Sequence, residues 1–125
     1  MEQFDIAICG YGPVGSTFAG LMGRLGHKVL VIEKSIGPSP TARAINTDGE
    51  QLRTFDRLGI AEKVVENSTE VHRVHFGDAN LNPIQTIEQP VGVSVMGWPN
   101  QVLFYQPELE GFIRTSVESE SNIVI

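Results

Sequence analysis

The sequence predicts an α/β domain: a parallel βαβ unit, an added antiparallel β portion, and a sheet left incomplete at the C-terminus. Three observations carry this. Two short apolar runs, "FDIAIC" from Phe4 and "KVLVIEK" from Lys28, flank an amphipathic stretch, which is the pattern of strand, helix and strand. At the first junction "ICGYGPVGSTFAG" holds four glycines and a proline in thirteen residues, a density that would ruin an ordinary helix or strand. From Val71 to Tyr105 the texture changes to β-prone runs separated by Asn, Pro and Gly.

Residues 4–9 alternate toward the first glycine and read as a strand. A helix follows from about Val14, with Val14, Phe18, Leu21, Met22 and Leu25 as its expected inward face and Gly26 as its stop. "KVLVIEK" reads as a strand buried on both faces, and such a βαβ crossover is right-handed. "SIGPSPTARA" is a loop. "DGEQLRTFDRLG" is a helix capped by Asp48, with Leu52, Phe55 and Leu58 inward and Gly59 ending it. "IAEKVVENS" adds one or two helical turns. "VHRVHF", "PIQTIEQ", "VGVSVMGW" and "QVLFY" are expected antiparallel strands, in a different sheet from the first unit. Pro107 opens a helix with Leu109, Phe112, Ile113 and Val117 inward, and "NIVI" opens a further strand. Ending in a buried strand is unusual for a domain, so the sequence reads as the first piece of something longer.

The chain has 125 residues, 41% of them hydrophobic, enough for one domain with a core. A formal net charge of -6 argues against nucleic acid or an anionic membrane as partner. No apolar run approaches the ~20 residues that span a bilayer, and no basic region precedes the first apolar stretch as in a signal peptide. A lone Cys9 allows no intrachain disulfide and fits a cytoplasmic protein; Cys9 itself reads as a small buried apolar residue.

Gly10, Gly12 and Gly15 form GxGxxG between the first strand and helix. Gly10 permits the tight turn, Gly12 lets the backbone approach a pyrophosphate, and Gly15 lets the helix pack on the strand. Pro13 and Val14 begin a helix whose free N–H groups and dipole favour phosphate. Glu33, eighteen residues beyond Gly15 at the end of the second strand, suits the hydroxyls of an adenosine ribose and repels the 2′-phosphate of NADP. Lys34 follows it. The motif is that of a Rossmann-like dinucleotide site, and a methyltransferase loop is usually spaced differently.

Beyond the motif, the chain resembles the FAD-dependent aromatic-ring monooxygenases of the para-hydroxybenzoate hydroxylase type, above all the 3-(3-hydroxyphenyl)propionate hydroxylase branch. The resemblance rests on "DIAICGYGPVGSTFAGLMGRLGHKVLVIEK", "ARAINTDGEQLRTFDRLGIAEKV" and "GWPNQVLFYQPELEGFIRTSV". It implies that Arg43 contacts the ribose and pyrophosphate region of FAD, that Gln106 contacts the ribityl or phosphate portion, and that Arg53 also serves the cofactor. It further implies a reaction in which NADH or NADPH supplies electrons, O2 supplies oxygen, and a phenolic ring is hydroxylated. Within the family, residues 1–70 and 106–125 correspond to the FAD-binding portion, and 71–105 to the start of the substrate domain. No catalytic base or nucleophile is visible, and the family's later Asp-Gly and Gly-Asp segments and most of its substrate pocket have no counterpart in these residues, so the chain alone is expected to bind FAD weakly at best and to hydroxylate nothing.

Two other readings compete. An NAD-dependent oxidoreductase would continue with regular βαβ units after Glu33, and a non-catalytic interaction module would bind neither nucleotide. His72 and His75 fall on opposite faces of a strand and make a poor metal pair. His27 is expected in solvent, Trp98 as a partly buried packing residue, and Glu118 and Glu120 on a solvated face.

Overall fold

The computed structural model describes residues 2–38 and 40–125. In chain order its elements are β1 (Ile6–Cys9), α1 (Pro13–Arg24), β2 (Val29–Ile32), β3 (Asn46–Asp48), α2 (Gly49–Arg57), α3 (Ala61–Glu66), β4 (Thr69–Glu70), β5 (Arg73–Gly77), β6 (Pro83–Glu88), β7 (Gln101–Leu103), α4 (Gln106–Glu118) and β8 (Ile123–Val124). β1 and β2 pair in parallel, Ile6 opposite Val29 through Cys9 opposite Ile32, and β8 joins the other edge of β2 in parallel. The βαβ unit is therefore present, and "NIVI" extends its sheet.

α1 ends as its sequence demands. Gly26 takes φ +89° and the His27 N–H donates to the Met22 carbonyl at 3.2 Å, closing the helix with a left-handed glycine. Its buried face corrects the expectation. Ser16, Ala19, Gly20 and Gly23 are buried, whereas Val14 is 84% exposed, and Phe18 and Leu25 are exposed too. The small residues let neighbouring side chains approach the helix backbone: a Cβ at Gly20 would come within 2.8 Å of Leu58 Cδ2, and one at Gly23 within 2.5 Å of Ile123 Cδ1. Leu21 and Met22 do pack, partly buried, against the core as expected, while Val14 and Phe18, with Leu21, line an apolar groove shared with Phe55, Phe104 and Leu109.

The sheet corrects a second expectation. Ile6, Ile8, Val29, Val31 and Ile123 belong to the core or pack against it. Alternation turns Ala7, Cys9 and Ile32 to the opposite face, where they are exposed. β2 is thus covered on one side, and Cys9 is an exposed thiol rather than a buried one.

α2 is capped as expected: Asp48 Oδ1 accepts the Gln51 N–H at 2.9 Å. Leu52, Phe55 and Leu58 are buried, and Gly59 at φ +69° turns the chain into α3. The antiparallel part divides in two. β7 lies between β3 and β4, while β5 and β6 form a separate hairpin. "VGVSVMGW" is not a strand; a single bridge links Val93 and Pro99, and Gly92 and Gly97, both with positive φ, bend the segment into turns. Leu109, Ile113 and Val117 of α4 close the core, with Phe112 and Trp98 partly buried against it.

Candidate nucleotide-binding site

A cleft of about 890 Å³ opens where the ends of β1 and β2 meet the start of α1 and the inner face of α4. Its volume lies within the range of small-molecule sites. Gly10, Gly12, Pro13, Val14, Gly15, Glu33, Lys34, Arg43 and Gln106 all line it, so residues separated by most of the chain share one cleft.

The three glycines do different work. Gly10 sits at φ +106°, a left-handed conformation, while its N–H continues the sheet by donating to the Ile32 carbonyl at 2.8 Å. A Cβ at Gly15 would collide with the Gly10 carbonyl oxygen, so α1 rests directly on the turn. Gly12 is extended at φ -76° and ψ -174°, and a Cβ there would meet no protein atom within 4 Å. Its lack of a side chain leaves room in the cleft, as close approach of a phosphate requires. Pro13 occupies the first helical turn, and the Ser16 N–H closes the first helical bond to the Gly12 carbonyl at 2.9 Å.

Glu33 is built into this turn. Its Oε2 accepts the Tyr11 N–H at 2.6 Å and its Oε1 accepts the Ser35 N–H at 2.8 Å. The hydrogen bond from the Tyr11 backbone, and secondarily that from Ser35, hold its carboxyl below the ordinary value of 4.5. The ionised carboxylate therefore braces the glycine turn while presenting acceptors to the cleft.

Across the cleft, Gln106 and Glu110 are buried on the first turns of α4. Gln106 Oε1 accepts the N–H groups of Arg43 and Ala44, at 2.6 and 2.8 Å, and Gln106 Nε2 donates to Glu110 Oε1 at 2.7 Å. Arg43 is exposed at the rim. Arg53 does not line the cleft; it sits on α2, its Nη1 3.2 Å from Glu50 Oε2.

Sequence reasoning missed Arg114. Its Nη2 donates to the Tyr11 carbonyl at 3.0 Å and to the Gly37 carbonyl at 3.1 Å, tying the loops after β1 and β2 to α4. Its guanidinium also lies over the Tyr11 ring. The signal was available: Gln106, Glu110 and Arg114 recur every four residues, a polar stripe beside the apolar Leu109, Ile113 and Val117. The Tyr11 side chain points away from the turn into the core, where its hydroxyl is buried with no hydrogen-bond partner among the described residues. Burial, with a smaller contribution from the Glu118 charge and an opposing one from Arg114, pushes its phenol up to about 12.

Elsewhere, His75 Nδ1 lies 2.9 Å from Thr86 Oγ1, and His72 Nε2 lies 4.0 Å from Glu70. His27 and Glu118 are exposed. Glu120 is not simply solvated but pairs with Arg24 at 3.2 Å. Among the described residues no three His, Cys, Asp or Glu side chains gather as metal ligands, and no helix is long and apolar enough to cross a membrane.

Comparison with known proteins agrees with this geometry. The chain is 37% identical over 128 residues to a probable NADH-specific resorcinol 4-hydroxylase of Rhodococcus jostii (strain RHA1), covering 99% of this chain and 23% of that protein. It is 33% identical over 122 residues to a 3-(3-hydroxy-phenyl)propionate/3-hydroxycinnamic acid hydroxylase of Escherichia coli O139:H28, covering 98% of this chain and 22% of that one. This chain thus spans less than a quarter of the length of those two curated relatives. The crystal structure of p-nitrophenol 4-monooxygenase from Pseudomonas putida DLL-E4 superimposes with a TM-score of 0.86 at 23% identity, over 98% of this chain and 31% of that one, and so shares the fold. The sequence profile of a family described as "FAD binding domain" matches residues 3–123, and on that match across nearly its whole length the chain belongs to that family.

Proposed function

We propose that this chain holds the ADP moiety of FAD as the nucleotide-binding part of a flavin-dependent monooxygenase acting on phenolic rings. The observation that carries the proposal is the convergence on one cleft of the open backbone at Gly12, the start of α1 and the ionised Glu33. The pyrophosphate goes to the N–H groups at the start of α1, where the backbone is bare and the helix dipole is positive. Glu33 accepts from the adenosine ribose. Lys34 and Arg43, which also line the cleft, offset phosphate charge. The relatives' names supply the substrate class, a phenolic ring, and support NADH or NADPH as reductant. The bound flavin supplies the redox chemistry and oxygen activation, while the residues of this chain bind and orient it.

On this reading residues 1–70 and 106–125 form the cofactor-binding portion, and 71–105 begin the part that faces substrate. The 125-residue chain, on the same reading, supplies cofactor binding and does not by itself hydroxylate a ring. Its single cysteine fits a cytoplasmic setting.

The test is nucleotide selectivity of the purified chain, read by fluorescence titration. FAD binds and ADP displaces it, whereas FMN, which lacks the adenylate half, binds at least about tenfold more weakly. Equal affinity for FMN and FAD, or tight NAD binding without FAD binding, would overturn the proposal.

A further inference from the structure

Between β2 and β3 the chain runs from Glu33 to Ile45 with no helix or strand among its described residues, yet Gly37, Pro38, Pro40, Arg43 and Ala44 line the cleft. α4 holds this segment from outside, at Gly37 through Arg114 and at Arg43 and Ala44 through Gln106. Two consecutive backbone N–H groups, those of Arg43 and Ala44, converge on one atom, Gln106 Oε1. A carbonyl oxygen has two lone pairs, so these two donors use its accepting capacity. The amide can serve them only if its oxygen, rather than its NH2 group, faces the segment.

Glu110 decides that orientation. It is 3% exposed, one helical turn beyond Gln106, and its Oε1 accepts from Gln106 Nε2 at 2.7 Å. A carboxyl oxygen that accepts this bond takes the NH2 end of the amide and not its oxygen. Flipping the amide would set oxygen against oxygen and NH2 against two N–H groups. The mismatch between Gln106 and Glu110 is the costly one, because both side chains are buried and water cannot replace the lost partner.

We propose that Glu110 is a positioning residue: by fixing which way the Gln106 amide faces, it locks Arg43 and Ala44 into the wall of the cofactor cleft. The link to cofactor binding rests on the FAD reading above; the lock itself does not. Gln106 then acts through its oxygen on the protein's own backbone, and a direct bond from it to the cofactor can come only from the N–H that Glu110 leaves free.

A reciprocal exchange tests this. Gln106→Glu alone brings two carboxylates together across a 2.7 Å contact and disrupts the lock. Adding Glu110→Gln restores it, since Glu at 106 still accepts from both backbone N–H groups and Gln at 110 now donates to it. Hydrogen exchange of the Arg43 and Ala44 amides in the cofactor-free chain reads the lock directly. The single variant should exchange at least about tenfold faster at both amides, and the double variant should return to within about threefold of the parent. FAD affinity should fall by about tenfold and recover in parallel. Unchanged protection in the single variant, or a double variant that folds without regaining protection or does not fold at all, overturns the lock. If the amides respond while FAD affinity stays flat, the positioning role is wrong although the lock is real. If the parent binds no FAD yet the amides follow the exchange, the lock stands and the FAD reading fails.

Discussion

The guanidinium carbon of Arg114 lies 4.5 Å from the centroid of the Tyr11 ring, and the same side chain donates to the Tyr11 carbonyl at 3.0 Å. One arginine thus grips a residue of the glycine turn by both its ring and its backbone. Because Nη2 also holds the Gly37 carbonyl, Arg114 fixes the loops that follow β1 and β2 against α4. Arg114→Met keeps much of the packing but loses the charged donor, and should cost about 2–3 kcal/mol in denaturant unfolding. FAD affinity should fall in the same variant, and Arg114→Lys should recover little, since an ammonium lacks the planar fork. Stability unchanged in Arg114→Met would show that solvent replaces both bonds.

Tyr11 carries a buried hydroxyl with nothing to bond. Tyr11→Phe should therefore raise stability by about 1 kcal/mol, in contrast to most core substitutions. The raised phenol sharpens the test. The folded chain favours the neutral form, so this contribution is complete below the ordinary value of 10.0 and is lost as pH rises toward about 12. An absorbance titration should show a phenolate component near 12 that disappears in Tyr11→Phe.

Glu33 titrates in the opposite sense. Its carboxyl is held below 4.5, so the bracing of the glycine turn is fully present above that value and is lost as pH falls through the lowered one. Glu33→Gln retains one acceptor where two N–H groups now bond, and should reduce ADP affinity about tenfold at neutral pH. It should also flatten the acid limb of a stability-against-pH curve. An acid limb identical to that of the parent would exclude Glu33 as its source.

Gly12 and Gly15 separate binding from folding. Gly12 has a backbone open to any residue and no protein atom near its absent Cβ, so Gly12→Ala should fold with stability within about 0.5 kcal/mol of the parent yet bind ADP at least tenfold more weakly. Gly15→Ala drives a methyl into the Gly10 carbonyl and should cost about 2 kcal/mol or more in thermal or denaturant unfolding. Full ADP affinity in Gly12→Ala would mean that the phosphates lie elsewhere.

The sequence by itself determined whatever depends on local backbone demands. A positive φ at Gly10, Gly26 and Gly59, a cap at Asp48 and a proline in the first turn of α1 and α4 are properties of single residues and their neighbours, and each sits where the sequence places it. The spacing from Gly15 to Glu33 likewise brings both residues to one cleft, because one helix and one strand separate them. Only the tertiary structure decided which surfaces those elements bury. α1 carries its large apolar residues on one face, yet it buries the small ones, because close approach to β8, α2 and α4 is possible only where side chains are missing. Cys9 is open because alternation turns it to the uncovered side of the sheet. The partners that complete the cleft were also beyond reach of local pattern: Tyr11 to Glu33 spans 22 positions, Arg43 to Gln106 spans 63, and Tyr11 to Arg114 spans 103. A stripe of Gln, Glu and Arg on α4 has no evident role until the fold lays it against two loops, whose bare N–H groups bond Gln106 and whose bare carbonyls bond Arg114, while Glu110 bonds Gln106.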